Sequence, residues 1–357
     1  MIAYRDRATG ARVTQVTEGS AINHPSYFLQ SSFFPGGREM FIASYRTGAP
    51  QLFEVSLDSG EARQLTSGEP VHPFSAALHP DGDLVFTRGG GVWAINRTTL
   101  AERCIINCSV DNPGAQLGEC SISRDGEWLT AAYKRGAECG LIAGRFDGSG
   151  WHTIPFPRTV IHPQFHPLEP EWIEFSGDPA PRMHRVRRDG TGLECLYRHG
   201  NDEFLVHETF LGDTGDLVFT VWPRALRRMD WSTRQIRTIA EFNAWHIAPD
   251  RRGERVLCDT NHPDEGLQIV DVATGARRQL CLTESSNQGS QWRQSRYALA
   301  EDFTHARNSL SWMENAADTV YGPQWTHPHP SWSTDETRAA YASDRTGTTQ
   351  VYVAEIA

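Results

Sequence analysis

Short runs of alternating hydrophobic and polar residues, separated by tight-turn signals, repeat along the chain. In the first unit, from Ser32 to Thr66, apolar runs at 40–43 and 51–55 are bounded by turn signals at 35–37 and 58–60. Alternation with a period of two residues, together with turns rich in Gly, Pro and Asp, predicts β-strands rather than helices. We therefore expect about four short strands in each unit.

Units of this kind follow one another at a spacing of about 45 residues. They begin at Ser32, Ser75, Cys120, Pro163, Val206, Trp245 and His329. A regular repeat of this length, without a sustained 3.6-residue periodicity, is typical of a β-propeller. The sequence therefore predicts an all-β, seven-bladed β-propeller in which residues 1–357 form a single domain.

The last unit is short of one strand, and the beginning of the chain carries a matching segment. Residues 8–17 (ATGARVTQVT) are similar to the end of the sixth unit, residues 273–280 (ATGARRQL). Closing a ring in this way removes exposed sheet edges, which otherwise pair with other chains. We predict that the N-terminal strand joins the last blade and closes the ring.

One long segment, at about residues 283–324, interrupts the repeat between the sixth and seventh units. It contains Trp292, His305 and Trp312. Long loops in compact folds are usually functional or disordered, and ligand sites lie where several elements converge. We predict an ordered insertion over one mouth of the central channel.

Charge and hydropathy exclude some partners. The chain has 34 Lys and Arg against 44 Asp and Glu, a net charge of −10 without a basic block. Proteins that bind nucleic acid through its phosphates normally carry a basic face, so we expect no nucleic-acid partner. No apolar stretch approaches the ~18 residues of a membrane helix, so we expect no membrane partner.

The compartment is predicted from the start of the chain and from the cysteines. Arg5, Asp6 and Arg7 stand where a signal peptide would place its apolar region. The chain has seven cysteines, none in a C-x-x-C pair. An odd number in a long chain indicates reduced thiols, so we expect a cytoplasmic protein.

The densest polar motif is Gln324-Trp325-Thr326-His327-Pro328-His329-Pro330. Residues i and i+2 of an extended chain face the same side, so His327 and His329 can point at one site, with Gln324 shortly before them. Imidazoles and a carboxamide oxygen suit a divalent cation such as Mn²⁺. The alternative is that these His-Pro pairs are turn signals, as in His79-Pro80.

Histidines also stand at the heads of two other units, His207 in the fifth and His246 in the sixth. The inner strands of a propeller border its channel, so imidazoles of consecutive blades are expected to converge there. Such residues can be metal ligands or bases, and equally they can be buried, hydrogen-bonded histidines of the core.

These motifs resemble the oligogalacturonate lyases of polysaccharide lyase family 22, which are seven-bladed propellers with a Mn²⁺ site. The similarity extends over most of the chain. Its segments are 8–14, His24-Pro25-Ser26-Tyr27-Phe28-Leu29-Gln30 at the family's H-x-x-Y-F-x-Q, Arg182-Met183 at its A-R-M-W, His207-Glu208-Thr209-Phe210 at its H-E-F-W, His246 at its S-H, and 324–330 at its Q-x-T-H-P-H-P.

The resemblance implies a role for each matching residue. The implied metal ligands are His246, Gln324, His327 and His329, the implied catalytic base is His207, and the implied substrate-binding residues are Arg182, His24, Tyr27 and Gln30. Arg182 is expected to neutralise the substrate carboxylate. Lyases of this family cleave short oligogalacturonides by β-elimination in the cytoplasm, so the expected ligands are a uronate-containing oligosaccharide and Mn²⁺ or another divalent cation.

The chain also departs from the family pattern. Residues 175–181 are shorter than the family's loop, His184 replaces a Trp, and Thr209-Phe210 replaces Phe-Trp. The catalytic set is kept while the walls of the substrate site change. A different uronate-containing oligosaccharide is therefore an alternative substrate.

A second alternative is a propeller without catalytic activity. Ser343-Asp344-Arg345-Thr346-Gly347 and the Pro-Asp-Gly turns resemble those of TolB-type interaction modules. These motifs account for the fold but not for Gln324, His327 and His329. A propeller hydrolase of the peptidase type is less well supported, because the sequence has no G-x-S-x-G elbow.

Overall fold

The computed structural model describes residues 1–178, 180–200, 202–261, 263–287 and 324–356, with the side chains of Asp178 and Gln324 outside the description. The described residues form 29 strands in seven antiparallel sheets. Two short 3-10 helices lie at Gly212–Thr214 and Gln324–Thr326. No helix of the described part of the chain has the length and apolar character that crossing a membrane requires.

The strands are numbered in chain order. The strands of the N-terminal segment and of blades one to three are β1 (Ile2–Arg5), β2 (Arg12–Gln15), β3 (Asn23–His24), β4 (Glu39–Ser44), β5 (Gln51–Ser56), β6 (Ala62–Gln64), β7 (Ala77–Leu78), β8 (Leu84–Arg88), β9 (Gly91–Ile95), β10 (Glu102–Asn107), β11 (Gln116–Ile122), β12 (Trp128–Arg135), β13 (Glu138–Arg145) and β14 (His152–Phe156). Those of blades four to seven are β15 (Thr159–Phe165), β16 (Trp172–Asp178), β17 (Met183–Arg187), β18 (Glu194–Cys195), β19 (Leu205–Phe210), β20 (Leu217–Val221), β21 (Ala225–Met229), β22 (Ile236–Ala240), β23 (Ala244–Pro249), β24 (Arg255–Thr260), β25 (Leu267–Asp271), β26 (Arg277–Cys281), β27 (Ser331–Trp332), β28 (Arg338–Ser343) and β29 (Gln350–Glu355).

The seven sheets confirm the predicted propeller. Blades one to six each consist of four consecutive strands, and the seventh has the order β1-β2-β29-β28-β27. Strand β2 pairs antiparallel with β29, with Val13 opposite Ala354 and Gln15 opposite Tyr352. The predicted closure is therefore confirmed, and the N-terminal segment supplies two strands to the last blade rather than one.

The first blade begins earlier than its sequence unit. Its innermost strand is Asn23–His24, whereas the repeat pattern begins at Ser32. The chain leaves the sheet after His24 and returns at an isolated bridge between Phe33 and Met40. A strand of two residues has no detectable alternation, which is why the pattern missed it.

The innermost strands of blades three to six share an irregularity. Their pairing register shifts at 117/120, 161/164, 206/209 and 244/247. An extra residue in one strand forms a β-bulge, which bends the strand and redirects a side chain. His162 and His207 lie within two of these bulges and have positive φ angles of 56° and 55°.

Apolar clusters between neighbouring blades form the core. Val13 and Tyr352 pack with Leu257 between blades six and seven, and Val16 packs with Phe33 between blades seven and one. The N-terminal segment therefore contributes to two blade interfaces as well as to a sheet. The predicted insertion at about 283–324 lies mostly outside the described residues, at 288–323.

Ring closure can be tested at Val13, which is fully buried. Val13→Ala removes methyl groups from the interface between blades six and seven and should lower the free energy of unfolding by about 1–3 kcal/mol. Urea unfolding followed by tryptophan fluorescence measures the change. Val110→Ala is the matched control, because Val110 is 74% exposed and should lose almost nothing. Equal stabilities of the two variants would contradict the closure.

Candidate metal and active site

Three histidines from the last two blades meet at one point. His246 lies on β23, and His327 and His329 lie directly before β27. Their ligand nitrogens all lie within 4.8 Å of one another, and none of the three side chains is exposed. The ring centroids of His246 and His329 are 3.9 Å apart. Three of the four predicted ligands are therefore brought together, while the side chain of Gln324 lies outside the described residues.

Asp259, which the sequence analysis missed, fixes the orientation of His246. Its carboxylate lies 2.8 Å from Nδ1 of His246 and also accepts the backbone N–H of that residue at 2.6 Å. Within the described residues, Nε2 of His246 is buried and has no hydrogen-bond partner. A carboxylate on one imidazole nitrogen and an open second nitrogen is the arrangement of a metal-ligating histidine.

Burial sets the charge of this pair. It lowers the pKa of His246 well below its usual value, with His327 and His162 adding to the effect. Burial also raises the pKa of Asp259 to about 7. His246 is therefore neutral, which is the form that binds a metal. The imidazole set, the open nitrogen and the orienting carboxylate all fit a divalent transition metal.

His207 lies next to this cluster on β19. Its ring centroid is 4.3 Å from that of His246 and 4.7 Å from that of Trp245. Burial lowers the pKa of His207 well below its usual value, and His246 and His162 lower it further. Its Nδ1 is buried without a hydrogen-bond partner in the described part of the chain. A neutral imidazole of this kind is able to accept a proton.

Arg182 forms a buried ion pair with Glu208, the residue after His207. Its Nε donates to Oε1 of Glu208 at 2.8 Å and its Nη2 donates to Oε2 at 3.4 Å. Arg182 is only 4% exposed and Glu208 is fully buried. Burial alone would raise the pKa of Glu208, but Arg182 and the hydrogen bond from His162 hold it well below its usual value. The carboxylate is therefore ionised and fixes the guanidinium beside the predicted base.

His162 is a further histidine of this region that sequence reasoning did not select. Its Nε2 lies 2.9 Å from the hydroxyl of Tyr27, and its Nδ1 lies 3.4 Å from Oε2 of Glu208. The hydroxyl of Ser176 also donates to Glu208. His162 precedes a proline and reads as a turn signal. Its position on the innermost strand of the fourth blade, equivalent to that of His207 in the fifth, is the signal that would have found it.

The segment after β3 covers the histidines with two aromatic rings. The ring centroid of Tyr27 is 5.0 Å from that of His329. The ring centroid of Phe28 is 5.2 Å from that of His207. Of the residues predicted to bind substrate, Tyr27 therefore lies directly beside the cluster.

Besides Tyr27 and Arg182, the predicted substrate-binding set contains His24 and Gln30. His24 stacks on Phe74 with ring centroids 4.5 Å apart, and Phe74 in turn lies 5.2 Å from His329. Burial lowers the pKa of His24 to about 4, so this histidine is neutral. Gln30 is half-buried at the end of the segment, where its backbone N–H donates to the carbonyl of Tyr27.

The fold and the site together define a class: a seven-bladed propeller whose inner strands hold a histidine cluster suited to a divalent metal. The chain is 23% identical to the oligogalacturonide lyase of Pectobacterium atrosepticum over 404 aligned positions, covering 99% of this chain and 95% of the relative. It is 22% identical to the oligogalacturonate lyase of Dickeya dadantii, with the same coverage. No protein-family model matches the chain.

Solved structures give the same result for the fold. An oligogalacturonate lyase in complex with manganese superposes with a TM-score of 0.83 at 20% identity, covering all of this chain and 96% of that one. The oligogalacturonate lyase of Vibrio parahaemolyticus superposes with a TM-score of 0.81 at 18% identity, again over all of this chain. These matches confirm the propeller fold and the resemblance to oligogalacturonate lyases that the sequence motifs indicated.

Metal binding can be measured directly. The wild-type protein should bind about one Mn²⁺ per chain, because one cluster of imidazoles is present among the described residues. His327→Ala should abolish this binding, and Asp259→Asn should weaken it about 10–100-fold, because the carboxylate orients His246. Elemental analysis and isothermal titration of the metal-stripped protein measure both effects.

His152→Ala is the matched control, because His152 is exposed on β14, away from the cluster. It should bind the metal like the wild type. If the wild-type protein stays metal-free after loading, and the His327→Ala variant behaves in the same way, the TolB-type interaction module is favoured instead.

Proposed function

We propose that the protein is a carbon–oxygen lyase that cleaves uronate-containing oligosaccharides by β-elimination, with oligogalacturonides as the first substrates to test. The observation that carries this proposal is the meeting of His246, His327 and His329 beside His207 and the Arg182–Glu208 pair. Similarity to lyases over nearly the whole chain supports the same reaction class.

The residues that would hold the cation are His246, His327 and His329, with Gln324 as the fourth predicted ligand. Mn²⁺ is the first candidate, because imidazole and amide oxygen suit it and a structural relative contains manganese. When bound, a divalent cation supplies positive charge that stabilises the uronate carboxylate as negative charge builds on it.

His207 is proposed as the base. The C5 proton of a uronate is acidic only through the adjacent carboxylate, so its removal needs a neutral acceptor held close to the substrate. His207 is buried and uncharged, as its lowered pKa requires. Once the proton has moved to His207, the C4–O bond breaks, the double bond forms between C4 and C5, and the oxygen leaves with the electron pair.

Arg182 is proposed to stabilise the carboxylate during this step. A guanidinium is planar, stays charged and binds carboxylates through parallel N–H groups. Two nitrogens of this guanidinium, Nε and Nη2, donate to Glu208, and these hydrogen bonds limit the motion of Arg182. Tyr27 would line the site directly, and His24 and Gln30, at the two ends of the same segment, would support it.

The substrate and the compartment are proposed more broadly. His184 and Thr209 stand where the lyase motif has aromatic residues, so a uronide other than oligogalacturonide is the alternative substrate. All seven cysteines are free thiols, which supports the proposed cytoplasmic location. The TolB-type interaction module is the alternative to an enzyme, and it requires neither a metal nor the histidine cluster.

Loss of the base should abolish cleavage. His207→Ala should lower turnover of oligogalacturonides by about 10²–10⁴-fold, because the C5 proton then has no positioned acceptor. The rise in ultraviolet absorbance of the unsaturated uronate and the product mass measure the rate. Metal content should stay at the wild-type level, and the surface variant His152→Ala should keep full activity. Wild-type rates in His207→Ala would refute the assignment of the base.

Arg182→Lys keeps the positive charge of the side chain and tests whether the planar shape of the guanidinium is needed. Lysine cannot make the two-point contact with Glu208, so kcat/KM should fall by about 10–100-fold, which corresponds to a charged hydrogen bond of about 1.5–3 kcal/mol. Arg135→Lys is the matched control, because Arg135 makes a two-point contact with Glu138 on the surface. Equal activities of these two variants would leave Arg182 without a role in the reaction.

A further inference from the structure

The proposed reaction assigns no chemical step to the hydroxyl group of Tyr27. Tyr27 is 7% exposed, and its ring lies against that of His329, with centroids 5.0 Å apart. On its other side, the hydroxyl lies 2.9 Å from Nε2 of His162. Tyr27 therefore stands between the predicted metal ligands and a second buried histidine.

His162 connects this hydroxyl to a buried carboxylate. Its Nδ1 lies 3.4 Å from Oε2 of Glu208, which Arg182 and Ser176 also hold by hydrogen bonds. His162 is 2% exposed and Glu208 is fully buried. In such a series the carboxylate orients the imidazole and the imidazole orients the hydroxyl group, so the hydroxyl group of Tyr27 is held in one position.

We propose that Tyr27 donates the proton that the departing C4 oxygen needs, and that His162 and Glu208 position Tyr27 for this transfer. This inference rests on the proposed function and adds a second proton-transfer residue to it. Tyr27 is the catalytic residue of the set, since it lies beside the site, and the other two are positioning residues.

The proton balance closes over one cycle. His207 takes the C5 proton, the C4–O bond breaks with its electrons on oxygen, and Tyr27 gives its hydroxyl proton to that oxygen. Tyr27 is left as a tyrosinate, whose oxygen stays next to Nε2 of His162. After the product leaves, solvent carries the C5 proton from His207 to the oxygen of Tyr27, which restores both groups.

The aromatic ring of Phe28 separates the proposed proton donor, Tyr27, from the proposed base, His207. The ring of Phe28 packs against both residues, with its centroid 4.7 Å from that of Tyr27 and 5.2 Å from that of His207. An apolar ring between a proton donor and a proton acceptor keeps them from exchanging directly. Each group can then act on its own atom of the substrate.

The leaving group provides the test. Oligogalacturonide needs a proton on its departing oxygen, whereas a 4-deoxy-4-fluoro-galacturonide releases fluoride, which leaves as an anion. Tyr27→Phe should lower kcat on digalacturonate by about 10²–10⁴-fold but change the rate of fluoride release by less than about tenfold. His207→Ala should lose both reactions. Tyr133→Phe, at a tyrosine buried in blade three, controls for the loss of a buried hydroxyl group.

His162 is tested by a double-mutant cycle. His162→Gln should lower kcat on digalacturonate and spare fluoride release, and the double variant should be no slower than Tyr27→Phe alone, because both residues act in one transfer. Metal content and melting temperature should match those of the wild type.

The outcomes separate this inference from the proposed function. Equal losses on both substrates in Tyr27→Phe, or no loss on either, would overturn the proton-donor role while leaving His207 as the base. Additive losses in the double variant would overturn the role of His162. A wild-type protein that eliminates neither substrate, and no other uronate-containing oligosaccharide supplied in their place, would overturn the proposed function, and the proton donor with it.

Discussion

The site depends on a bulge that recurs in the innermost strands of the ring. A regular strand alternates its side chains between two faces, and a bulge breaks this alternation at one position along the strand. Blades four and five each place a histidine at the bulge. These residues are His162 and His207, and both have a positive φ angle. His329 shares this backbone conformation in front of the last blade. The propeller can therefore gather side chains from several blades into one small volume without a dedicated loop for each.

Buried charge is the second constraint on this region. An ion or a polar group taken out of water is costly unless it is paired, so each buried carboxylate needs a partner. Glu208 has Arg182, and Asp259 has the imidazole and the backbone N–H of His246. Glu174 lies beside the first pair, and burial together with Glu208 raises its pKa well above the usual value, so it stays protonated. The site thus keeps an ionised carboxylate next to its guanidinium, and it keeps neutral the imidazoles that are proposed as metal ligands and as the base.

The sequence was most informative where its signal was periodic or local. The repeat predicted the number of blades, and the similarity of residues 8–17 to 273–280 predicted the ring closure, because both depend on short-range patterns. The i, i+2 spacing of His327 and His329 likewise predicted two converging side chains. Asp259 and His162 escaped detection because their partners lie in other strands or blades, and only the folded ring shows that Asp259 faces His246 and that His162 meets Tyr27. Arg182 was predicted to neutralise the substrate carboxylate, and its pairing with Glu208 followed only from the structure.

The way the ring closes has a consequence for the biosynthesis of the protein. The last blade joins strands from opposite ends of the described chain, and the side chains of Thr17 and Gln350, 333 residues apart, form a hydrogen bond within it. This blade also follows directly on His327 and His329. While the ribosome is still translating, blades one to six can begin to pair in order, but β2 has no partner until β29 has emerged. The candidate metal site is thus among the last parts to take shape, and a prematurely terminated polypeptide would lack both the closed ring and the histidine cluster.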